Sequence, residues 1–150
     1  MKQKHIDAHL AVCQVQAGLS PCPRRKVGAV LVDPARNTIL STGYNGTPRG
    51  SAGHLCGGAS CDRDERDIPS GTHMEVGCHH AEMNAIANAA ARGTATDGAW
   101  MFTSVEPCVM CAKMMHHAGI ARVLCIASSY KGGSDGSNYL REHGVEVVSL

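Results

Sequence analysis

Two short motifs with metal-binding side chains constrain the fold of this chain more than any other feature. His80 and Glu82 stand at the start of one predicted helix, and Cys108 and Cys111 stand at the start of another. A catalytic zinc ion takes three nitrogen or sulfur ligands from the protein and leaves its fourth position to water. The fold must therefore bring together the first turns of two helices that are distant in sequence.

The spacing within each motif predicts the role of each residue. Cys108 and Cys111 lie one helical turn apart, so they project to the same side, where the helix dipole favours their thiolates. Glu82 follows His80 closely enough to reach a zinc-bound water without being a ligand. Zinc lowers the pKa of that water towards about 7, so Glu82 is predicted to take its proton and deliver it to the substrate. His79 is a competing ligand, but His80 alone gives the His-x-Glu spacing.

The rest of the chain predicts an α/β fold with a mixed sheet of about five strands. Apolar periodicity and β-branched runs predict helices at 2–17, 79–92 and 108–118, and strands at 27–33, 38–44, 99–104, 121–127 and 145–149. The first two strands form a hairpin, and the later alternation predicts parallel pairing with helices on both faces. Residues 128–137 are predicted to be a loop and 139–143 a short helical turn. We expect one domain over residues 1–150, with a loop insertion at about 45–78.

Composition narrows the class of partner. The formal charge of +1, with one Trp, one Phe and three Tyr, argues against binding of a nucleic-acid polymer, which uses basic faces and aromatic platforms. There is no run of about 18 apolar residues that would span a membrane. Eight cysteines without a secretory signal favour metal ligands and free thiols in a reducing cytoplasm.

Four segments resemble the deoxycytidylate deaminase family, and the resemblance runs from about residue 20 to residue 130. The segments are SPCPRRKVGAV at 20–30, GYNGTPRG at 43–50, HAEMNAI at 80–86 and EPCVMCAK at 106–113. The resemblance implies the cytidine deaminase-like fold, a three-layer α/β/α sandwich, and zinc-dependent hydrolysis of dCMP to dUMP and ammonia. It also implies supply of dUMP for thymidylate synthesis, a homo-oligomer that is often a hexamer, and regulation by dCTP and dTTP.

The nucleotide-binding residues are less sharply predicted than the metal ligands. A 5′-phosphate needs cations or backbone amides, and two of the resembling segments supply Arg24, Arg25, Lys26 and Arg49. The alternative is the ordinary one, because arginines and lysines are usually solvated surface residues without a ligand. The resemblance implies substrate contacts from Asn45, Lys26 and Tyr130, and a possible allosteric nucleotide loop formed by Gly43, Tyr44, Gly46 and Arg49.

The insertion carries cysteines that the catalytic site does not use. A segment with few apolar residues cannot order itself by burial, so a structural zinc ion would supply the missing constraint. Some phage members of the resembled family have such a second site. The candidate ligands are Cys22, Cys56, Cys61 and Cys78, with His73 and His54 as alternates. The other interpretation is that Cys22 and Cys78 are buried thiols.

Two other functions stay open at this point. Another cytosine nucleoside, nucleotide or nucleobase deaminase would share the zinc site, although the low basicity counts against a tRNA substrate. A catalytically silent zinc-binding regulator of nucleotide metabolism belongs to a different class. The presence of Glu82 counts against the regulator, because a structural metal site has no use for a base beside an open coordination position.

Overall fold

A computed structural model describes residues 1–47, 60–69, 72, 77–126 and 133–150. In chain order its elements are α1 (Gln3–Gly18), β1 (Gly28–Asp33), β2 (Thr38–Tyr44), α2 (Asp62–Glu65), α3 (Ala81–Ala90), β3 (Trp100–Thr103), α4 (Val109–His117), β4 (Arg122–Cys125), α5 (Gly133–Glu142) and β5 (Glu146–Ser149). None of the helices in these ranges has both the length and the apolar character needed to cross a bilayer.

The five strands form one mixed sheet in the order β2-β1-β3-β4-β5. β1 pairs antiparallel with both β2 and β3, while β3, β4 and β5 run parallel to one another. The two parallel connections pass through α4 and α5, and because such crossovers are right-handed, both helices lie on the same face of the sheet. The predicted hairpin, the parallel pairing and the number of strands are confirmed.

Both faces of the sheet are buried, which explains the continuous apolar sequence of β1. Ala29 and Leu31 face a core that they share with α3, α4 and α5. Val30 and Val32 face the opposite core, where Cys13 of α1 packs against the sheet. The result is three layers, with α1 on one side of the sheet and three helices on the other.

The sequence prediction was wrong about the start of α5. Residues 128–137 were expected to form a loop, but α5 begins at Gly133 and includes the predicted helical turn at 139–143 up to Glu142. Glycines and serines at the start of α5 give it low intrinsic helix propensity, which hid it from a reading of the sequence. Leu140, fully buried in the core, anchors the helix through tertiary packing.

Candidate metal centre and surrounding cavity

The three predicted zinc ligands meet at one point. The Nδ1 atom of His80 lies 3.4 Å from the sulfur of Cys108 and 3.4 Å from the sulfur of Cys111. In a tetrahedral site, zinc bonds of the usual length place a nitrogen and a sulfur ligand about 3.6 Å apart. In the described ranges, these residues are the one group of three or more potential ligands close enough to share a metal ion. Their donor chemistry and separation therefore fit zinc.

Two helix N-termini place these ligands. His80 and Cys108 occupy the N-cap positions of α3 and α4, with extended backbones, and Cys111 lies in the first turn of α4. The turn before α4 is fixed to the sheet, because the Ser104 hydroxyl accepts a hydrogen bond of 3.0 Å from the backbone N–H of Gly28. The centre is thus built from cap positions that the sheet holds in place.

The two thiols of the centre differ in acidity. The hydrogen bond with Cys111 lowers the pKa of Cys108 to about 4, and burial acts in the opposite direction. The same hydrogen bond, together with burial, raises the pKa of Cys111 well above its ordinary value. The hydrogen bond with Cys108 also raises the pKa of His80. One thiolate is therefore already favoured at the centre, as metal binding requires.

Glu82 lies beside the ligands and is shielded from solvent. The residue is 3% exposed, and the Cys111 thiol is among the groups that act on the pKa of its carboxyl. Burial raises the pKa of the Glu82 carboxyl, while attraction to His80 is the largest effect in the opposite direction. A carboxyl group with a raised pKa next to a metal centre is suited to both accept and donate a proton.

A cavity of about 320 Å³ opens beside the metal centre. This volume is within the range of small-molecule sites. His80, Glu82 and Cys108 form one part of its wall, Val27 and Val105 supply apolar surface, and other wall residues include Asn45, Arg24, Arg25 and Arg63. The cavity thus combines a metal-binding end, apolar surface and several cations.

Asn45 lines the cavity and also holds a neighbouring loop. The side chain is 6% exposed. Its Oδ1 atom accepts a hydrogen bond of 2.8 Å from the backbone N–H of Val27, and its Nδ2 atom donates one of 2.8 Å to the carbonyl of Arg25. Asn45 therefore lies in the cavity wall, where its amide fixes the backbone that carries Arg25, and its predicted substrate contact stays a prediction.

The cations divide into two groups. Arg24 and Arg25 line the cavity, whereas Lys26 is not among the lining residues. Arg24 also forms a 3.1 Å ion pair with Asp64, which neutralises part of its charge. Of the predicted cations, Arg24 and Arg25 therefore border the cavity, and the substrate contact from Lys26 stays a prediction.

Arg63 is a cavity residue that the sequence analysis missed. Its Nη2 atom donates hydrogen bonds to the carbonyls of Pro69 (3.2 Å) and Thr72 (2.8 Å), and its buried Nε atom has no hydrogen-bond partner in the described part of the chain. It makes no ion pair with any acidic side chain described in the structure. A short charged run, Asp62–Glu65, inside an insertion rich in glycine and serine was the signal that could have drawn attention to it.

The predicted second metal site is only partly covered by the described residues. Cys22, Cys61 and Cys78 all line the cavity, and the first two are buried. Within the described ranges they do not form a compact ligand group of the kind found at His80. Cys56, His54 and His73 lie outside the described residues, as do Tyr130 and Arg49 from the predicted nucleotide contacts. The second site therefore stays a prediction.

The glycines of the predicted allosteric loop make close backbone contacts. A Cβ atom at Gly43 would lie 2.3 Å from the carbonyl oxygen of Ala81, so β2 and α3 can approach closely only with glycine at this position. The backbone of Gly46 exchanges hydrogen bonds with His79, next to the metal ligand. Tyr44 is 39% exposed. These contacts link the segment to the metal centre, and its predicted effector role stays a prediction.

Known proteins share both the sequence pattern and this architecture. The family model described as the cytidine and deoxycytidylate deaminase zinc-binding region matches residues 2–127. A deoxycytidylate deaminase of Schizosaccharomyces pombe is 32% identical over 139 residues, covering 92% of this chain and 41% of the yeast protein. A deoxycytidylate deaminase of Enterobacteria phage T2 is 29% identical over 160 residues, covering 87% of this chain and 84% of the phage protein.

A solved structure resembles the whole chain. The crystal structure of a dCMP deaminase from the cyanophage S-TIM5, in complex with dCMP and dUMP, matches with a TM-score of 0.82 and 31% identity. The match covers 100% of this chain and 99% of the cyanophage chain. The predicted three-layer fold is confirmed by this likeness. Relatives differ in size, since this chain spans less than half of the yeast protein but nearly all of the cyanophage one.

Proposed function

Because this chain belongs to the cytidine and deoxycytidylate deaminase zinc-binding family, we propose that it hydrolyses dCMP to dUMP and ammonia. The family membership predicted from the four motif segments is confirmed. The observation that carries the proposal is the meeting of the His80 nitrogen with two cysteine sulfurs, beside the buried Glu82 carboxyl, in a cavity that also holds arginines. The relative of known structure with dCMP and dUMP supports the choice of substrate.

His80, Cys108 and Cys111 hold the metal in this proposal. Bound there, zinc supplies a Lewis acid that lowers the pKa of the attacking water towards about 7. Glu82 accepts the proton that this water releases as its oxygen adds to C4 of the cytosine ring. It would return this proton to the ring nitrogen, then take the second proton from the hydroxyl group now on C4 and deliver it to the amine, so that the C4–N bond breaks, ammonia leaves and the C4 carbonyl forms. The reaction is that of a hydrolase acting on the C–N bond of a cyclic amidine.

The cations of the cavity select the phosphate end of the substrate. Arg24, Arg25 and Arg63 line the same cavity as Glu82, and a phosphate monoester is bound well by arginine because the guanidinium group can donate two parallel hydrogen bonds. Asn45 lines the same wall and holds the backbone of Arg25. Lys26 and Tyr130 remain weaker candidates for substrate contact.

The domain organisation, oligomeric state, regulation and location of this chain are proposed from the resemblance and from simple physical arguments. We treat residues 1–150 as one deaminase domain with an insertion at about 45–78, since the helices of both outer layers pack on a single sheet. A homo-oligomer, with a hexamer as the expected size, and regulation by dCTP and dTTP follow the resemblance. Placement in the cytoplasm follows from the use of cysteine as a metal ligand and free thiol.

A substrate panel with a matched variant tests the proposed activity. Zinc-loaded protein is assayed for ammonia release from dCMP, dCTP, deoxycytidine, cytidine and cytosine. We expect the highest kcat/KM with dCMP. Glu82→Gln should retain zinc but lose about 10²- to 10⁴-fold in kcat, the range typical for a general acid–base group.

Each alternative function predicts a different result of this experiment. A preference for the nucleoside or the free base would identify another cytosine deaminase with the same centre. No turnover of any cytosine compound by zinc-loaded protein would favour the silent regulator. A near-normal rate for Glu82→Gln, with zinc retained, would exclude the proton-transfer role of Glu82.

A further inference from the structure

The C-terminal segment reaches back to the residues that carry the metal ligand Cys108. Helix α5 lies against the turn that enters α4, and its point of closest approach is Gly136. A Cβ atom at this position would lie 2.0 Å from the carbonyl oxygen of Pro107 and 2.7 Å from the carbonyl carbon of Cys108. Real Cβ atoms do not come this close to another heavy atom, and both neighbours are backbone atoms, so no change of rotamer would relieve the contact.

Helix α5 has little freedom to move away from this turn. Ser137 and Leu140 are both fully buried, and Leu140 belongs to the core shared with α3 and α4. The carbonyl of Leu140 also accepts a hydrogen bond of 2.9 Å from Val145, which leads into β5. A side chain at position 136 would therefore push the Pro107–Cys108 backbone as well as the helix.

A second contact from the same segment reaches the other side of Pro107. The hydroxyl of Ser149, on β5, donates a hydrogen bond of 3.2 Å to the carboxylate of Glu106. Glu106 lines the cavity and directly precedes the Pro107–Cys108 turn. β5 itself is tied to the sheet by its parallel pairing with β4. The turn is thus in contact with both α5 and β5, and both elements lie beyond position 127, where the family match ends.

We propose that Gly136 and Ser149 are positioning residues that hold the Glu106–Cys108 turn where the Cys108 thiolate can share a metal ion with His80. Relieving the contact at Gly136 needs a movement of about 1 Å, whereas a metal centre tolerates ligand displacements of only a few tenths of an ångström. The proposal rests on the metal centre in the proposed function and does not depend on which cytosine compound is the substrate.

Metal binding by the full-length chain tests this inference without any substrate. Zinc affinity is measured by competition with a chromophoric chelator, and the geometry of the centre by the absorption spectrum of the Co²⁺-loaded protein. We expect Gly136→Ala to weaken zinc binding about 10- to 100-fold, as loss of groups that orient a ligand does, and to alter the intensity of the Co²⁺ bands. Ser149→Ala should weaken it about two- to tenfold, the value of one hydrogen bond.

Two matched variants separate this effect from ordinary changes in stability. Gly18→Ala makes the same change near the end of α1, where nothing lies within 4 Å of the added atom, and Ser134→Ala removes an exposed hydroxyl from α5. Both should bind zinc as the unmodified chain does. Wild-type zinc affinity and Co²⁺ spectrum in a folded Gly136→Ala chain would overturn the proposal. If Gly136→Ala does not fold, Ser149→Ala decides, and unchanged zinc affinity in that variant overturns it as well.

Discussion

Cysteine residues occur in two regions of this molecule whose surroundings differ. At the metal centre, Cys111 is fully buried in α4 and packs in the same core as Ala112 and Met115. In the insertion, Cys61 precedes α2, a helix of four residues whose described contacts are largely polar, including the Arg24–Asp64 and Arg66–Asp62 ion pairs. Both pairs are only partly exposed, with Asp62 itself buried, so the polar contacts of this helix are not confined to its surface.

The comparison shows how a core can prepare a metal site. Burial of apolar side chains fixes the first turns of α3 and α4, so the His80 nitrogen lies 3.4 Å from each of the two cysteine sulfurs before any ion is considered. The sequence of the insertion carries few large apolar side chains with which to do the same. A metal ion in the insertion would therefore have to create its own site, whereas the catalytic centre would bind its ion with little rearrangement.

The largest loss of zinc affinity is expected when a cysteine of the metal centre is replaced, and replacing a cysteine of the insertion gives the comparison. Cys111→Ser removes a ligand from the preformed centre, so zinc affinity should fall more than about 100-fold, beyond the loss caused by groups that only orient a ligand. Deamination should become undetectable. Cys61→Ser should leave the catalytic zinc and at least part of the activity in place. Zinc content by mass spectrometry and ammonia release measure the two outcomes.

The same measurement tests the predicted second zinc ion. If the insertion binds zinc, the unmodified chain holds two ions when fully loaded, and Cys61→Ser holds one. A single ion per fully loaded chain would remove the second site. Cys13→Ala is the control, because this buried thiol of α1 lies on the opposite face of the sheet and should affect stability but not zinc content.

A smaller effect, a partial loss of activity with dCMP, is expected when a positive charge is removed from the insertion. Arg63→Gln removes a guanidinium group that lines the cavity without an ion-pair partner among the described residues. Loss of a charged hydrogen bond to phosphate costs about 1.5–3 kcal/mol, so kcat/KM for dCMP should fall about 10- to 100-fold. The rate with deoxycytidine, which has no phosphate, should stay unchanged. Steady-state kinetics with both compounds give the comparison.

Arg66 provides the matched control for Arg63. Arg66 follows the same short helix but pairs with Asp62 and does not line the cavity, so Arg66→Gln should leave both substrates unaffected. An equal loss for dCMP and deoxycytidine in Arg63→Gln would mean that Arg63 acts by supporting the loop through the carbonyls of Pro69 and Thr72. The phosphate role would then be wrong.

The two regions also differ in how far the sequence predicts them. Short-range patterns are sufficient for the metal centre, because His-x-Glu and Pro-Cys-x-x-Cys each place their side chains within one helical turn. The strands were predicted to within a few residues, since β1 is a continuous buried apolar run and its neighbours are rich in β-branched and aromatic residues. The start of α5 and the role of Arg63 were missed. Both depend on tertiary contacts, namely Leu140 in the core and the carbonyls that hold Arg63, and neither leaves a periodic pattern in the sequence.

The smallest effect, a loss of stability, is expected where the region of the metal centre joins the insertion. Asn45 follows β2 at the start of the insertion, and Asn45→Ala leaves the buried N–H of Val27 without its 2.8 Å acceptor. An unsatisfied buried group costs about 1–3 kcal/mol, so the free energy of unfolding, measured by urea titration, should fall by that amount. Asn84→Ala is the control, because this more exposed side chain donates one hydrogen bond to Tyr44 and its loss should cost less. Equal losses of unfolding free energy in the two variants would mean that the side chain of Asn45 stabilises the fold no more than the more exposed side chain of Asn84 on α3. The loop that carries Arg25 would then be positioned by other contacts.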